Sequence, residues 1–330
     1  MPLWPVYTGT NEPHDGITQL PPPPPWRAFD GAPVIDPPDA TAVSPDRTHR
    51  AETYRATPQT VQLVNAALYL RRPLLVTGPP GTGKSSLVYA VARELRLGPV
   101  LRWNITSRST LHDGLYQYDP LSRLYAARNA PAAEAGIEDH LRLGPLGTAL
   151  LPYARPRALL IDEIDKSDLD LPNDLLNVLE EGQYEIPELI RTARDTPTAE
   201  VMIHDADRRV AVERGRVRCR TFPFVVLTSN GEREFPPAFL RRCVTLRLRQ
   251  PDDSHLADIV RAHFDEEPDT YAQTLISRFL SRVGGGDLAT DQLLNAIYLA
   301  RSSDLAAESL DELAEQLMPY LGEAPQTDAF

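Results

Sequence analysis

Apolar residues recur at Val61, Val64, Ala67 and Leu68 behind Thr57 and Pro58, a capping residue and a first-position proline, and this spacing predicts a helix. The short apolar run Leu74 to Thr77, closed by glycines, reads as a buried strand. Further strands are expected at residues 100–105, 158–161 and 224–228, separated by helical stretches such as 171–181, which Gly182 would end. Strands alternating with helices specify an α/β fold built on a parallel sheet. From about Pro251 the pattern changes to helices alone, with apolar positions at Leu256, Ile259 and Val260 and again at Leu293, Leu294, Ile297 and Leu299, the two groups separated by Gly284, Gly285 and Gly286. No internal repeat is present.

Composition divides the 330 residues into three parts. Of 32 prolines, twelve fall within residues 1–50, including the run from Pro21 to Pro25. Such a segment neither propagates a helix nor pairs as a strand, so residues 1–50 are expected to be a disordered tail, with order beginning near Thr57. Trp4, Tyr7, Trp26 and Phe29 leave a docking role open for it. The net charge of −12 is uneven: −3 over residues 1–50, +3 over 51–250 and −12 over 251–330. An acidic end argues against phosphate-backbone binding by that part and leaves the middle part open. Two cysteines, Cys219 and Cys243, are too few for a disulfide framework or a zinc site and read as reduced thiols. The chain shows neither a signal-peptide pattern nor a membrane-length apolar run, which gives a cytoplasmic protein with no membrane partner as the expectation. Only Lys84 and Lys166 are lysine among 34 basic residues, so each asks for a chemical reason.

Lys84 has one. Gly78, Pro79, Pro80, Gly81, Thr82, Gly83, Lys84 and Ser85 complete a Gly-x4-Gly-Lys-Ser pattern between a predicted strand and a predicted helix that continues with Ser86. The loop's N–H groups and the positive end of the helix suit a triphosphate, Lys84 would reach the β- and γ-phosphates, and Ser85 would ligate Mg²⁺. Seventy-eight residues after Lys84, the aliphatic run 159–161 ends in Asp162, Glu163 and Asp165. Carboxylates there lie where open α/β sheets bind ligands, Asp162 to hold Mg²⁺ and Glu163 to activate the attacking water. An Asn-Lys-x-Asp string suited to guanine is lacking on a proper element, so ATP is the expected nucleotide. Lys166 is left unassigned.

These residues resemble the AAA+ ATPases and, within them, the MoxR-like and McrB-like group. Residues 77–85 and 162–165 look like the Walker A and Walker B elements. The string Leu175 to Gly182 is similar to the helix after Walker B, Thr228-Ser229-Asn230 to the sensor 1 strand end, and Phe239-Leu240-Arg241-Arg242-Cys243 to the arginine-finger segment. The strings 115–119 and 144–147 look like the insert and pre-Walker-B helix of the MoxR type. The resemblance implies a P-loop AAA+ core over residues 51–250, a parallel sheet with helices on both faces, followed by a small all-α lid over residues 251–330. It also implies ATP and Mg²⁺ as cofactors, Asn230 placing the attacking water, Arg242 or Arg241 acting on a neighbouring subunit's nucleotide, Tyr54 in the adenine pocket, and a hexameric ring of identical chains. A protein client is implied, von Willebrand A-domain proteins being the partner class of the group. One departure stands out: where the family has a sensor 2 arginine, residues 287–292 contain none.

Residues 208–220 hold six arginines around Arg214-Gly215 and predict a hairpin with one basic face. It could grip an acidic peptide or a nucleic-acid strand, or be a solvated or intersubunit element; the lack of interleaved aromatics disfavours single-strand binding. The expectation is an ATPase that remodels or activates a protein partner. Its alternatives are a McrB-like nucleic-acid motor and a nucleotide-gated assembly switch.

Overall fold

Period-two alternation builds the central layer of the computed structural model. Leu74 and Val76 turn to one face of a sheet and Leu75 to the other; Ala158 and Leu160 oppose Leu159 and Ile161 in the same way, as Phe224 and Val226 oppose Val225 and Leu227. Both faces are covered, which is why these runs are apolar throughout. The structure describes residues 4–38, 44–129, 136–204, 207–264, 270–282 and 289–302, together with 266, 268, 312–313 and 316–318.

In chain order the elements are α1 (Pro45–Thr53), α2 (Pro58–Leu70), β1 (Leu74–Thr77), α3 (Lys84–Glu94), β2 (Leu101–Asn104), α4 (Leu111–Leu115), β3 (Tyr116–Tyr118), α5 (Pro120–Asn129), β4 (Leu141–Leu143), α6 (Pro145–Ala149) and β5 (Ala158–Asp162). There follow α7 (Leu171–Glu181), β6 (Gln183–Glu185), α8 (Pro187–Thr192), β7 (Thr198–Met202), β8 (Arg209–Glu213), β9 (Arg216–Arg218), β10 (Phe224–Ser229), α9 (Pro237–Leu240), β11 (Val244–Arg247), α10 (Asp253–Phe264), α11 (Thr270–Arg282) and α12 (Thr290–Ser302).

The five-stranded sheet is parallel, in the order β11-β1-β10-β5-β2, so the C-terminal ends of β1, β10 and β5 stand side by side. Helices α2 and α3 pack on one face, and α6, α7 and a second sheet on the other. The expected core of a parallel sheet with helices on both faces is the observed one. The second sheet was not expected: six short strands in the order β3-β4-β7-β8-β9-β6. Its β8–β9 hairpin turns through Arg214 at φ 52° and Gly215 at φ 67°, the paired positive angles of a tight two-residue turn. Helices α10, α11 and α12 surround their own apolar cluster, including Leu256, Leu275, Phe279 and Leu293. The glycines 284–286 lie outside the described residues.

The proline-rich leader corrects an expectation, since its residues 4–38 pack on the α/β unit and are not a disordered tail. A proline-rich sequence disfavours long helices and paired strands but not packing, and the leader takes two short 3-10 turns, Gly16–Gln19 and Pro25–Arg27. Val6 and Tyr7 are fully buried, and the amide of Asn65 in α2 serves as their strand partner: Oδ1 accepts from Val6 N at 2.6 Å and Tyr7 N at 2.9 Å, while Nδ2 donates to Tyr7 O at 2.7 Å. Glu94, also fully buried, accepts from the N–H groups of Thr8 at 2.5 Å and Asn11 at 3.0 Å and from the Thr8 hydroxyl at 2.8 Å. Order also begins earlier than Thr57, because α1 packs against α3 and α10.

Removing the amide in Asn65→Ala strands the buried Val6 and Tyr7 backbone groups, an expected loss of about 2–3 kcal/mol in denaturant unfolding, with faster proteolysis of the first forty residues. Unchanged protease resistance would contradict the packed leader. Cys219 and Cys243 are unpaired and buried, and burial pushes both thiols up to about 12. At pH 8 a thiol reagent is expected to leave both unmodified until the chain unfolds; prompt labelling of the folded protein would show the burial to be wrong.

Candidate functional site

Where β1 ends, the chain turns through Gly78–Gly83 into α3. Gly83 has φ 81° and caps that helix, and Gly81 has φ 73°. A Cβ on Gly81 would stand 2.5 Å from Ala289 Cα and 2.7 Å from Thr290 N, so glycine is required for the helical unit to rest on the loop. Lys84 is almost fully buried, and its ammonium donates to the carbonyls of Gly78 and Pro79, 2.7 Å each. The cation is thereby held over the loop, at the N-terminus of α3, where phosphate oxygens are the better acceptors.

The acids predicted at the strand end converge on this loop. Asp162 closes β5, and three side chains donate to its carboxylate: Ser85 Oγ and Thr228 Oγ1 to Oδ1, both at 2.7 Å, and Arg102 Nη2 to Oδ2 at 2.8 Å. The Thr228 hydroxyl, on β10, also accepts the N–H of Glu163 at 2.8 Å. Glu163 has φ 61° and ψ 49°, a left-handed conformation that costs a non-glycine residue about 1 kcal/mol and that the Thr228 bond helps to hold. Its Oε2 meets Lys166 Nζ at 2.8 Å, an exposed pair whose carboxylate raises the lysine's pKa. The second lysine thus has a partner.

Asp165 fastens the next strand end. Its buried Oδ2 accepts from the N–H groups of Asn230, Gly231 and Glu232 at 2.9, 3.1 and 3.2 Å, which ties the loop after β10 to the end of β5. Asn230 consequently faces the same space as Glu163.

That space is a cleft of about 890 Å³ between the loop, the exit of β11, and helices α10 and α12. Pro80, Thr82, Ser85, Ser86 and Tyr54 line it along with Lys84, Asp162, Glu163 and Asn230. Gly78 and Pro79 form the base of the loop outside the wall, their carbonyls engaged by Lys84. Tyr54 lies close to Gly83, and burial pushes its phenol well above the ordinary value. Thr290 and Asp291 bring α12 into the wall, whereas Asp287 and Leu288 of the arginine-less stretch lie outside the described residues. His263 of α10 also lines the cleft, edge-on to His49 of α1 at 5.2 Å, and burial lowers its pKa.

A hydroxyl and a carboxylate on one side of the cleft suit Mg²⁺, which takes one or two protein oxygens and fills its shell with phosphate and water. Ser85 and Asp162 would hold it, and when bound it would offset phosphate charge. Among the described residues, no cluster of three or more His, Cys, Asp or Glu stands ready for another kind of metal centre.

The arginine pair is elsewhere. Neither Arg241 nor Arg242 lines the cleft; Arg242 Nε pairs with the Glu180 carboxylate and Nη1 donates to Ala238 O at 3.2 Å, while Arg241 is exposed and its carbonyl accepts from Arg72 Nη1 at 3.2 Å. In the basic hairpin Arg209, Arg216 and Arg218 are paired with Asp139, Glu185 and Asp30 at 2.8, 3.0 and 2.9 Å. Half of its six arginines are therefore neutralised within the chain. Sequence reasoning missed Arg102 and the roles of Thr228 and Asp165. The signals were an arginine on the strand beside β5, a threonine two before Asn230, and a third acid in the Asp162–Asp165 run.

Similarity to known proteins follows the same residues. The chain is 28% identical over 214 residues to the gas vesicle ATPase GvpN1 of Halobacterium salinarum, covering 62% of this chain and 54% of that protein. It is 29% identical over 204 residues to the gas vesicle ATPase GvpN of Haloferax mediterranei, covering 59% and 52%. It is 33% identical over 122 residues to an ATP-dependent protease ATP-binding subunit-like protein of Rhodococcus erythropolis, covering 35% and 31%. The matches thus span about half, or less, of these relatives. No helix among the described residues is long and apolar enough to cross a membrane. The AAA domain of the dynein-related subfamily matches residues 73–243, from the strand before the phosphate loop to the end of the arginine pair, and the chain belongs to that family.

Proposed function

We propose that the protein is a Mg²⁺-dependent ATPase of MoxR-like type that completes its sites between copies in a ring and uses turnover to remodel or activate a protein partner. The observation that carries this reading is the Thr228 hydroxyl, bonded at once to the Mg²⁺-type carboxylate and to the backbone of the candidate base. That bridge holds the two acids together at one strand end, Asp162 beside Ser85 and Glu163 next to it in the wall of the same cleft. Lys84 and the loop N–H groups would bind the β- and γ-phosphates of ATP, Tyr54 would pack by the base, and Glu163 would take a proton from a water that Asn230 helps to place. Arg242 or Arg241, outside their own chain's cleft, would serve a neighbour's, where a guanidinium would offset charge on the γ-phosphate. The names of the relatives, two gas vesicle ATPases and an ATP-binding subunit-like protein, support ATP as the nucleotide.

A protein client, with a von Willebrand A-domain as one class, is favoured over nucleic acid because the hairpin's cations are partly spent on Asp30, Asp139 and Glu185. Cytoplasmic placement and a hexameric ring belong to the same proposal.

Phosphate release and binding of a fluorescent ATP analogue test it together. Lys84→Ala is expected to lose binding; Glu163→Gln is expected to bind near wild-type strength and turn over at least about 100-fold more slowly. Wild type turning over no faster than Glu163→Gln at high protein concentration would leave a nucleotide-gated switch instead, and salt-sensitive stimulation by DNA would favour the motor. Thr228→Val, which removes the bridge and little volume, is expected to lower kcat by about 10- to 100-fold with a much smaller change in KM. Equal loss in binding would mean that Thr228 supports the fold of the loop and not the pair of acids.

A further inference from the structure

Arg27 is a leader residue with an unusual environment. It is 7% exposed, yet its guanidinium donates to main-chain carbonyls: Nε and Nη2 to Arg71 O at 3.0 and 2.5 Å, and Nη1 to Glu180 O at 3.0 Å. Arg71 is the C-cap of α2 and Glu180 lies in the last turn of α7. Helix C-termini present carbonyls without intrahelical partners and carry partial negative charge, so one cation between two of them satisfies both. The guanidinium carbon lies over Phe222, 4.5 Å from the ring centroid, and Phe222 stacks on Phe29 of the leader at 5.8 Å. A lysine could supply the charge but not three N–H groups in a fixed fork.

Both helix ends that Arg27 joins lead directly to the arginine pair. Arg72, next to Arg71, donates to Arg241 O, and Glu180 itself takes Arg242 Nε on its carboxylate. The backbone of one finger candidate and the side chain of the other thus rest on the two residues whose neighbours or carbonyls Arg27 clamps. We infer that Arg27 is a positioning residue for the trans-acting arginine: the leader sets the Arg241–Arg242 segment, and so governs catalysis in the adjacent copy's cleft rather than in its own. This rests on the reading above, that one of these arginines serves a neighbour.

The test is complementation in mixed oligomers of the full chain. Arg242→Ala comes first, since turnover equal to wild type in that variant and in Arg241→Ala would reject the trans-arginine reading itself. Given a loss there, Arg27→Met is expected to bind the fluorescent ATP analogue within twofold of wild type and to turn over at least tenfold more slowly. Mixing it with Glu163→Gln protomers, which carry a sound arginine segment but no base, is expected to restore turnover above that of either variant alone. Wild-type turnover by Arg27→Met, or a loss that Glu163→Gln protomers fail to restore, would overturn the inference. Glu180→Gln keeps the Arg27 contacts and weakens only the hold on Arg242, so it decides the matter should Arg27→Met not fold: it is expected to show the same restorable loss, and full activity or an unrestorable loss would count against the positioning role.

Discussion

The site depends on one buried carboxylate. Asp162 ends β5, the strand between β10 and the edge strand β2, and takes hydrogen bonds from the phosphate-loop helix through Ser85, from β10 through Thr228, and from β2 through Arg102. A charge removed from water must be paired and hydrogen-bonded, and three donors from three elements meet that requirement. The same bonds fix where the loop, the candidate base and the strand after it stand relative to one another. Parallel register makes this possible, because only adjacent parallel strands place Thr77, Ser229 and Asp162 at one edge of the sheet.

Around that centre the structure adds two layers that act at opposite ends. The helical unit closes on the phosphate loop by backbone approach to Gly81, with no arginine from α12 in the wall. The leader does not line the cleft; it packs against α2 and α3, where Asn65 and Glu94 accept hydrogen bonds from the backbone of its extended segment. Its Arg27 then reaches the helix ends that support the arginine pair.

Local signals were read well where one element carries them. The four expected core strands, the helix 171–181 and the hairpin at Arg214-Gly215 all follow from period, glycine placement and β-branched runs, and all are present. The phosphate loop and the acids at the end of β5 were legible because a motif confines them to a few residues. What escaped depends on contacts across long separations. The six-stranded sheet pairs segments of three to five residues that are too short to stand out alone. Arg102 reaches Asp162 across 60 residues, and Thr228 does so across 66. The leader was misread for a related reason: a proline-rich sequence disfavours long helices and paired strands, and composition carries no sign that Asn65 and Glu94, far along the chain, would supply its hydrogen bonds.

Phosphate release per protomer, followed over a wide range of protein concentration at saturating Mg–ATP, is the most direct measurement of the central claim. An ATP site completed by an arginine from another copy predicts specific activity that rises steeply as the chains assemble and then levels off. No release at any concentration, or a specific activity independent of concentration from monomer to assembly, would contradict it.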